Sequence, residues 1–382
     1  MSRDLRLLGL SLLCWGIGEG MFAYLLPLYL EELGADSVQI GAVLGVAAMA
    51  MAVTHIPAGT LSDIIGRKRL MSVGWVTGLM AVVVMYLARS LPLFVIGLVS
   101  YHLTAFVIAP LNSYITGAKG EWSVARALTT VSASFSAGTI IGSFSGGAIG
   151  EASGIRNIFG ISALLFVIST MIMVVVKKQP VVPSSSGGRY QSILTNGPLG
   201  RLLALISFSV FALYIAWPLT PNYLQNVRNV TLQQIGLLGS FNAFGMLTLN
   251  LTLGRLNPRL GFTITHFLVG TSIILLWQGQ AVPWFVVGYF LAAGYRTAIT
   301  LASAQTQDLV TSAEIGLVYG ITATLTSLAM VIAPPIAGLL YRSSPALPYP
   351  IGLGMLIIAT ILFRILAPKV KQVTSVHTPI PK

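Results

Sequence analysis

A chain of 382 residues that is 55% hydrophobic, 8% charged and of mean hydropathy +0.84 cannot clothe a soluble surface; soluble domains carry about 25% charged residues. Lipid must be the solvent for most of it, and backbone groups in lipid are satisfied only within helices or closed barrels. The net charge of +12 does not point to nucleic acid, because the basic residues sit in pairs and triplets between apolar segments, not on one domain face.

The apolar segments run near twenty residues without strict alternation, which predicts helices and not barrel strands. Twelve can be drawn, at approximately 7–30, 38–58, 70–88, 92–115, 125–149, 155–176, 200–224, 232–253, 262–279, 284–306, 315–341 and 349–367. The first follows Met1-Ser-Arg-Asp-Leu-Arg6, a start that imitates a signal peptide. No small-residue cleavage site follows and Glu19 interrupts the run, so it is read as a helix. The single cysteine, Cys14, excludes an internal disulfide and reads as a packed thiol.

Between the second and third segments lies Gly59-Thr-Leu-Ser-Asp63-Ile-Ile-Gly66-Arg67-Lys68-Arg69, a polar loop that must stand outside the lipid. Gly59 and Gly66 permit a tight turn and close helix approach. Asp63 can accept from a nearby helix N-terminus or pair with Arg67. In the fourth segment His102 is followed one turn later by Phe106; a packing histidine and a substrate ligand are both open readings. The fifth carries Gly138, Gly142, Gly146 and Gly150 at four-residue spacing, plus Gly147, which puts a ridge without side chains on one face.

After the sixth segment comes Lys177-Lys178-Gln-Pro-Val-Val-Pro-Ser-Ser-Ser-Gly-Gly-Arg189, with the composition of a linker. It divides the chain into a six-helix half at 1–178, a linker at 179–199, a second half at 200–369 and a basic tail at 370–382, expected to be disordered. The seventh segment places Tyr214, Trp217 and Asn222 around the kink-prone Pro218 and Pro221. With the N-terminus cytoplasmic, every Lys and Arg falls on the cytoplasmic side except Arg89, Arg156, Arg228, Arg342 and the intramembrane Arg296. That bias predicts both termini inside, in the plasma membrane.

The halves echo each other at a near-constant offset. Pro27-Leu-Tyr29-Leu30 matches Pro221-Asn-Tyr223-Leu224, and Gln39-Ile-Gly41 matches Gln234-Ile-Gly236. Gly59 and Gly66 match Gly254 and Gly261, Glu121 matches Glu314, and Gly146 matches Gly338. A parallel repeat of this kind is the mark of duplicated transporters.

The loop pattern G-x-x-x-D-x-x-G-R-K-R resembles the signature loop of the major facilitator superfamily, and the likeness extends over essentially the whole chain. It implies an all-α integral membrane fold of twelve transmembrane helices in two pseudo-symmetric six-helix bundles. It implies that Asp63 and Arg67 latch the halves on the cytoplasmic side, and that helices 1, 4, 7 and 10 line a central cavity. In the second half Pro258 stands where the acid would align, so the latch is one-sided. The run Gly138 to Gly147 also resembles the antiporter motif of helix 5, except that Ser143 replaces its proline; a plain packing seam needs the same glycines.

Charges deep in a membrane are costly and usually functional. Glu19 and Arg296 are the two such residues here, and Trp15 and Phe22 share the helical face of Glu19. Apolar surroundings ease protonation of a carboxyl, as a proton carrier requires. Arg296 keeps its charge and reads as counter-ion or anion anchor; the alternative for both is a structural ion pair. Tyr214 and Trp217 read as cavity aromatics or as ordinary packing. There is no phosphate-binding G-x-x-x-x-G-K-[ST] loop, and four histidines with one cysteine give no metal-ligand pattern.

The expected function is therefore secondary active transport of a small organic solute by alternating access. It is read as proton-coupled through Glu19, with efflux favoured by the helix-5 glycines and the aromatic, sparsely charged cavity. Uptake of an anionic or polar metabolite held by Arg296 and His102 is the second reading, and a membrane enzyme or a non-transporting receptor the third. No cofactor is expected. The expected partners are substrate, protons and the lipid bilayer, with no nucleic acid and a monomeric state.

Overall fold

The computed structural model describes residues 2–179, 196–307, 309–310 and 315–368, and for residues 55–64, 125 and 315–317 the backbone alone. The tail at 370–382, most of the expected linker, Glu314 and the side chain of Asp63 lie outside the described residues. Among the described residues twelve helices are long and apolar enough to cross a membrane, and there is no strand. They are α1 Arg3–Ala23, α2 Ser37–Ile65, α3 Arg67–Leu87, α4 Leu91–Ala118, α5 Val124–Ser153, α6 Ile155–Val175, α7 Gly197–Tyr214, α8 Leu232–Leu253, α9 Pro258–Gln278, α10 Val282–Gln307, α11 Ile315–Ser343 and α12 Pro348–Leu366.

The structure departs from the expected segments in three places. The first and seventh are each broken: α1 ends at Ala23 before a short helix Leu26–Glu32, and α7 ends at Tyr214 before a short helix Thr220–Arg228. A proline near the start of each short helix, Pro27 or Pro221, lacks the amide that would continue the longer one. The polar loop is much shorter than its sequence reads. Helix α2 runs to Ile65 and α3 starts at Arg67, leaving Gly66 at φ +95° to make the corner alone. The linker also ends early, because the Asn196 side chain accepts from Leu199 N at 3.1 Å and starts α7.

Within the first half, α1 packs on α5 and α6, and α3 packs on α4 and α6; within the second, α7 packs on α11 and α12, and α9 on α10 and α12. The glycine ridge of α5 faces α1. A β-carbon at Gly138, Gly142 or Gly146 would overlap the carbonyls of Leu13, Ile17 and Met21 respectively. Ser143, between them, is buried and donates to Gly20 O at 3.2 Å. The ridge is therefore occupied within its own half.

The halves meet along two matched seams, α2 against α11 and α5 against α8. The repeated Gln-Ile-Gly triplets build these seams. Asp36 and Gln39 exchange backbone and side-chain hydrogen bonds at the start of α2, and Thr231 and Gln234 do so at the start of α8. Ile40 and Ile235 are buried, and the glycines touch the opposite half: Gly41 meets Pro334 and Gly236 meets Gly147. Every hydrogen bond between the halves among the described residues lies between mid-membrane and the end opposite the chain termini.

Replacing Gly142 by Ala should lower folded stability by about 1–3 kcal/mol through overpacking against α1. Gly354→Ala, at a position with open space around it, should be neutral. Thermal unfolding of the two detergent-purified variants checks the contrast.

Candidate functional site

In the last turns of α1, ahead of its break, the half-buried Glu19 carboxylate accepts from the Tyr101 hydroxyl at 2.7 Å. The Tyr101 hydroxyl in turn accepts from Trp15 Nε1 at 3.2 Å. Trp15 and Glu19 are one turn apart on α1, so the relay leaves that helix, passes through Tyr101 on α4 and returns to it. Each member is held from behind. Trp15 stacks on Phe166 of α6 with ring centroids 3.9 Å apart and planes 7° apart, and it lies against Gly78 of α3. The α4 helix tightens to a 3-10 turn at Thr104–Val107 just below Tyr101, and the Thr104 hydroxyl donates to Tyr101 O at 2.6 Å.

The second charge comes from the other half. Arg296 follows a break in α10 at Ala293, the counterpart of the α4 turn. Its guanidinium is exposed and lies 5.3 Å over the Tyr295 ring, and it acts through space on Tyr214, Tyr24 and Glu19. An exposed group that feels residues of α1, α7 and α10 faces the space between the halves. Glu19 and Arg296 share that space, and among the described residues they make no ion-pair contact and no side-chain hydrogen bond ties the guanidinium. Five N–H donors are thus available to a ligand.

The wall between them bridges both halves. The Tyr24 hydroxyl donates to Asn242 Oδ1 at 3.0 Å, and Asn242 Nδ2 donates to Tyr289 O at 2.6 Å. Tyr214 lies 5.2 Å from Tyr295, and Trp217 lies 4.9 Å from Tyr289, centroid to centroid. Both are half-buried and turned toward α10, Tyr214 from the end of α7 and Trp217 from the break that follows it. His102 is half-buried, with Nδ1 3.0 Å from Leu98 O. A carbonyl only accepts, so Nδ1 carries the proton and Nε2 is the lone-pair nitrogen of the neutral ring.

Not every sequence-selected residue reaches this space. Trp15 and Phe22 are buried in the aromatic core of the first half, Phe22 against Tyr101 and Phe159. They support the carboxylate from behind. Arg67 lies at the terminal end of the bundle, where its guanidinium donates to Ser113 O of its own half at 3.4 Å and to Gln179 Oε1, at the start of the linker, at 3.3 Å. Gly59 and Asp63 fall in the last turns of α2, and the Asp63 side chain is outside the described residues. Tyr101, Tyr24 and Asn242 carry no signal in the sequence, since hydroxyl and amide residues in an apolar helix leave no periodic mark. Among the described residues no three His, Cys, Asp or Glu gather as metal ligands.

A family model for the Major Facilitator Superfamily matches residues 8–265 and 202–382. The chain belongs to that superfamily. It is 23% identical over 279 residues to an uncharacterized MFS-type transporter of Methanocaldococcus jannaschii, covering 68% of this chain and 70% of the relative. Among solved structures it resembles a variant of the nucleoside transporter NupG, with TM-score 0.81, 14% identity and coverage of 96% of this chain and 100% of the other. It resembles equally a POT family transporter in complex with 5-aminolevulinic acid, with TM-score 0.81, 12% identity and 97% of each chain covered. A bacterial homologue of the lysosomal transporter Spinster, in an inward-facing and occupied conformation, matches with TM-score 0.72, 16% identity and coverage of 95% and 94%. At these identities the likeness is one of fold, and the chain is a multi-pass membrane transporter by family.

Tyr101→Phe should leave the fold intact and cost about 1–3 kcal/mol of stability, because it strips a hydrogen bond to a charged group and leaves the Trp15 indole unpaired. Difference infrared spectra of the variant should show the Glu19 carboxyl band displaced; an unmoved band would mean that the hydroxyl does not hold it.

Proposed function

We propose that the protein carries a small organic solute bearing an anionic group, coupled to protons, by alternating access of its two halves. The observation that carries this reading is an exposed Arg296 guanidinium that has no side-chain hydrogen bond among the described residues, together with a Glu19 carboxylate held by Tyr101 and not ion-paired to it. Arg296 anchors the anion through paired N–H donors. Glu19 is the proton carrier, with Tyr101 holding its oxygen and His102, Tyr214 and Trp217 shaping the remaining wall.

The excess of Lys and Arg on one side supports cytoplasmic termini and a plasma-membrane setting. With the halves joined at the opposite end, the cavity then opens inward. Arg67, which among the described residues bonds to Ser113 and Gln179 and not to the second half, is the released form of a cytoplasmic latch whose acid is Asp63. Efflux drew support from the α5 glycines and from an aromatic cavity. Those glycines are engaged against α1, and Trp15 and Phe22 turn into the core, so the anion-bearing reading now has the stronger support.

In proteoliposomes with an imposed pH gradient, a panel of carboxylate and phosphate solutes should dissipate the gradient, and the sign of the change reads the direction. Glu19→Gln should abolish that coupling, on the order of a hundredfold loss of proton-driven flux, while exchange of solute against solute persists. Proton-driven flux that survives the change would remove Glu19 as carrier. Arg296→Gln should raise KM for anionic solutes at least about tenfold, since a charged hydrogen bond is lost. An equal loss for neutral solutes would return Arg296 to a structural role.

A further inference from the structure

On the assumption that the halves do alternate, the closed end needs its own release, and two carboxylates stand there. Glu151, at the C-terminal end of α5, accepts from Leu232 N at 2.8 Å and Gln233 N at 3.4 Å, the first amides of α8 in the other half. These are the amides that the Thr231–Gln234 capping box leaves free. The helix dipole adds to the attraction of a carboxylate at that point. Glu31, on the short helix after α1, accepts from Nδ2 of both Asn222 and Asn226, the latter at 2.8 Å, on the short helix after α7. Beside it lies a vestibule of 270 Å³ lined by Glu31, Asp36, Ile40, Asn222 and Arg342 among others.

We infer that Glu151 and Glu31 form the latch that holds the halves closed at the end opposite the termini, and that breaking both sets of bonds opens the transporter to that side. The remaining cross-half hydrogen bonds there are between uncharged groups: Ser37 to Gly338 O, Ser240 to Ile140 O, Asn222 to Pro27 O and Tyr24 to Asn242. Hydrogen bonds to an ionised group are roughly twice as strong as neutral ones, so the two acids dominate the directional part of the closure. Both carboxylates are exposed, so water is at hand to take over their acceptor role when the seam parts. The latch is not repeated by the pseudo-symmetry. Gln225 stands where the repeat would place a second Glu31, and Ser343, the last residue of α11, stands where it would place a second Glu151.

The test is maleimide labelling of the full-length protein in detergent, with Ile40→Cys in a Cys14→Ser background. Ile40 is 2% exposed in the closed seam and lines the vestibule. Combining Glu31→Ala with Glu151→Ala should speed labelling roughly tenfold, the loss expected for hydrogen bonds to charged groups. Glu151→Gln, which keeps an acceptor oxygen, should restore most of the protection in the Glu31 wild-type background. Glu32→Ala, next to the latch, should leave the rate unchanged. An unaltered rate in the double variant, with thermal unfolding like that of the parent, would overturn the latch. Solute flux in proteoliposomes separates the two ideas: faster labelling in a protein that moves no solute keeps the latch and removes the transport reading, and the reverse result removes the latch alone.

Discussion

A carboxylate halfway through a bilayer is tolerable only if it is hydrogen bonded or reaches water, and much of the first half is arranged around that requirement at Glu19. Tyr101 supplies the hydrogen bond, Trp15 fixes the orientation of Tyr101, and Phe166 fixes Trp15. The close contact of α1 with α5, possible because Gly138, Gly142 and Gly146 carry no side chains, sets the position of α1 from the other flank. The carboxylate is half-buried and not sealed, and Arg296 of the other half supplies an opposite charge. The 3-10 turn in α4 and the break in α10 fall beside these polar groups, so helix irregularity is confined to the walls of the cavity.

The fold was legible from three features: segment length, the sidedness of Lys and Arg, and the internal repeat. The repeat carried more than a count, because Gln39-Ile-Gly41 and Gln234-Ile-Gly236 turned out to be one device, a capping box, a buried Ile and a seam glycine, used twice. Glu19 and Arg296 stood out because a charge is rare in this chain. Tyr101 did not, being one of 13 tyrosines whose relevant partner lies 82 residues away. Trp15 and Phe22 share a helical stripe with Glu19, yet that stripe is wide enough to face both the cavity and α6. In lipid no polar face exists to say which side is which. Glu151 and Glu31 carry no mark in the sequence, since their partners are backbone amides and asparagines of the other half.

The duplication is kept in the scaffold and lost in the chemistry. Both halves have the broken first helix, the capped second helix and the seam glycine. The mid-membrane acid is on one half only and the mid-membrane guanidinium on the other, so the cavity is polarised across the pseudo-twofold axis. The same division holds at the closed end, where the first half contributes both carboxylates and the second half donates to them.

The seams themselves are unusually smooth. Where Gly147 meets Gly236 and Gly41 meets Pro334, backbone lies on backbone, and the Tyr24 ring that does cross the boundary rests on another glycine, Gly239. Interlocked side chains would have to change rotamers before such surfaces could separate; glycine and proline have none to change. The boundary therefore behaves as a bearing and not as a zip. Tempo then belongs to a handful of polar contacts at its rim, and selectivity to the chamber beneath, so either property can drift through mutation while the other stays where it was.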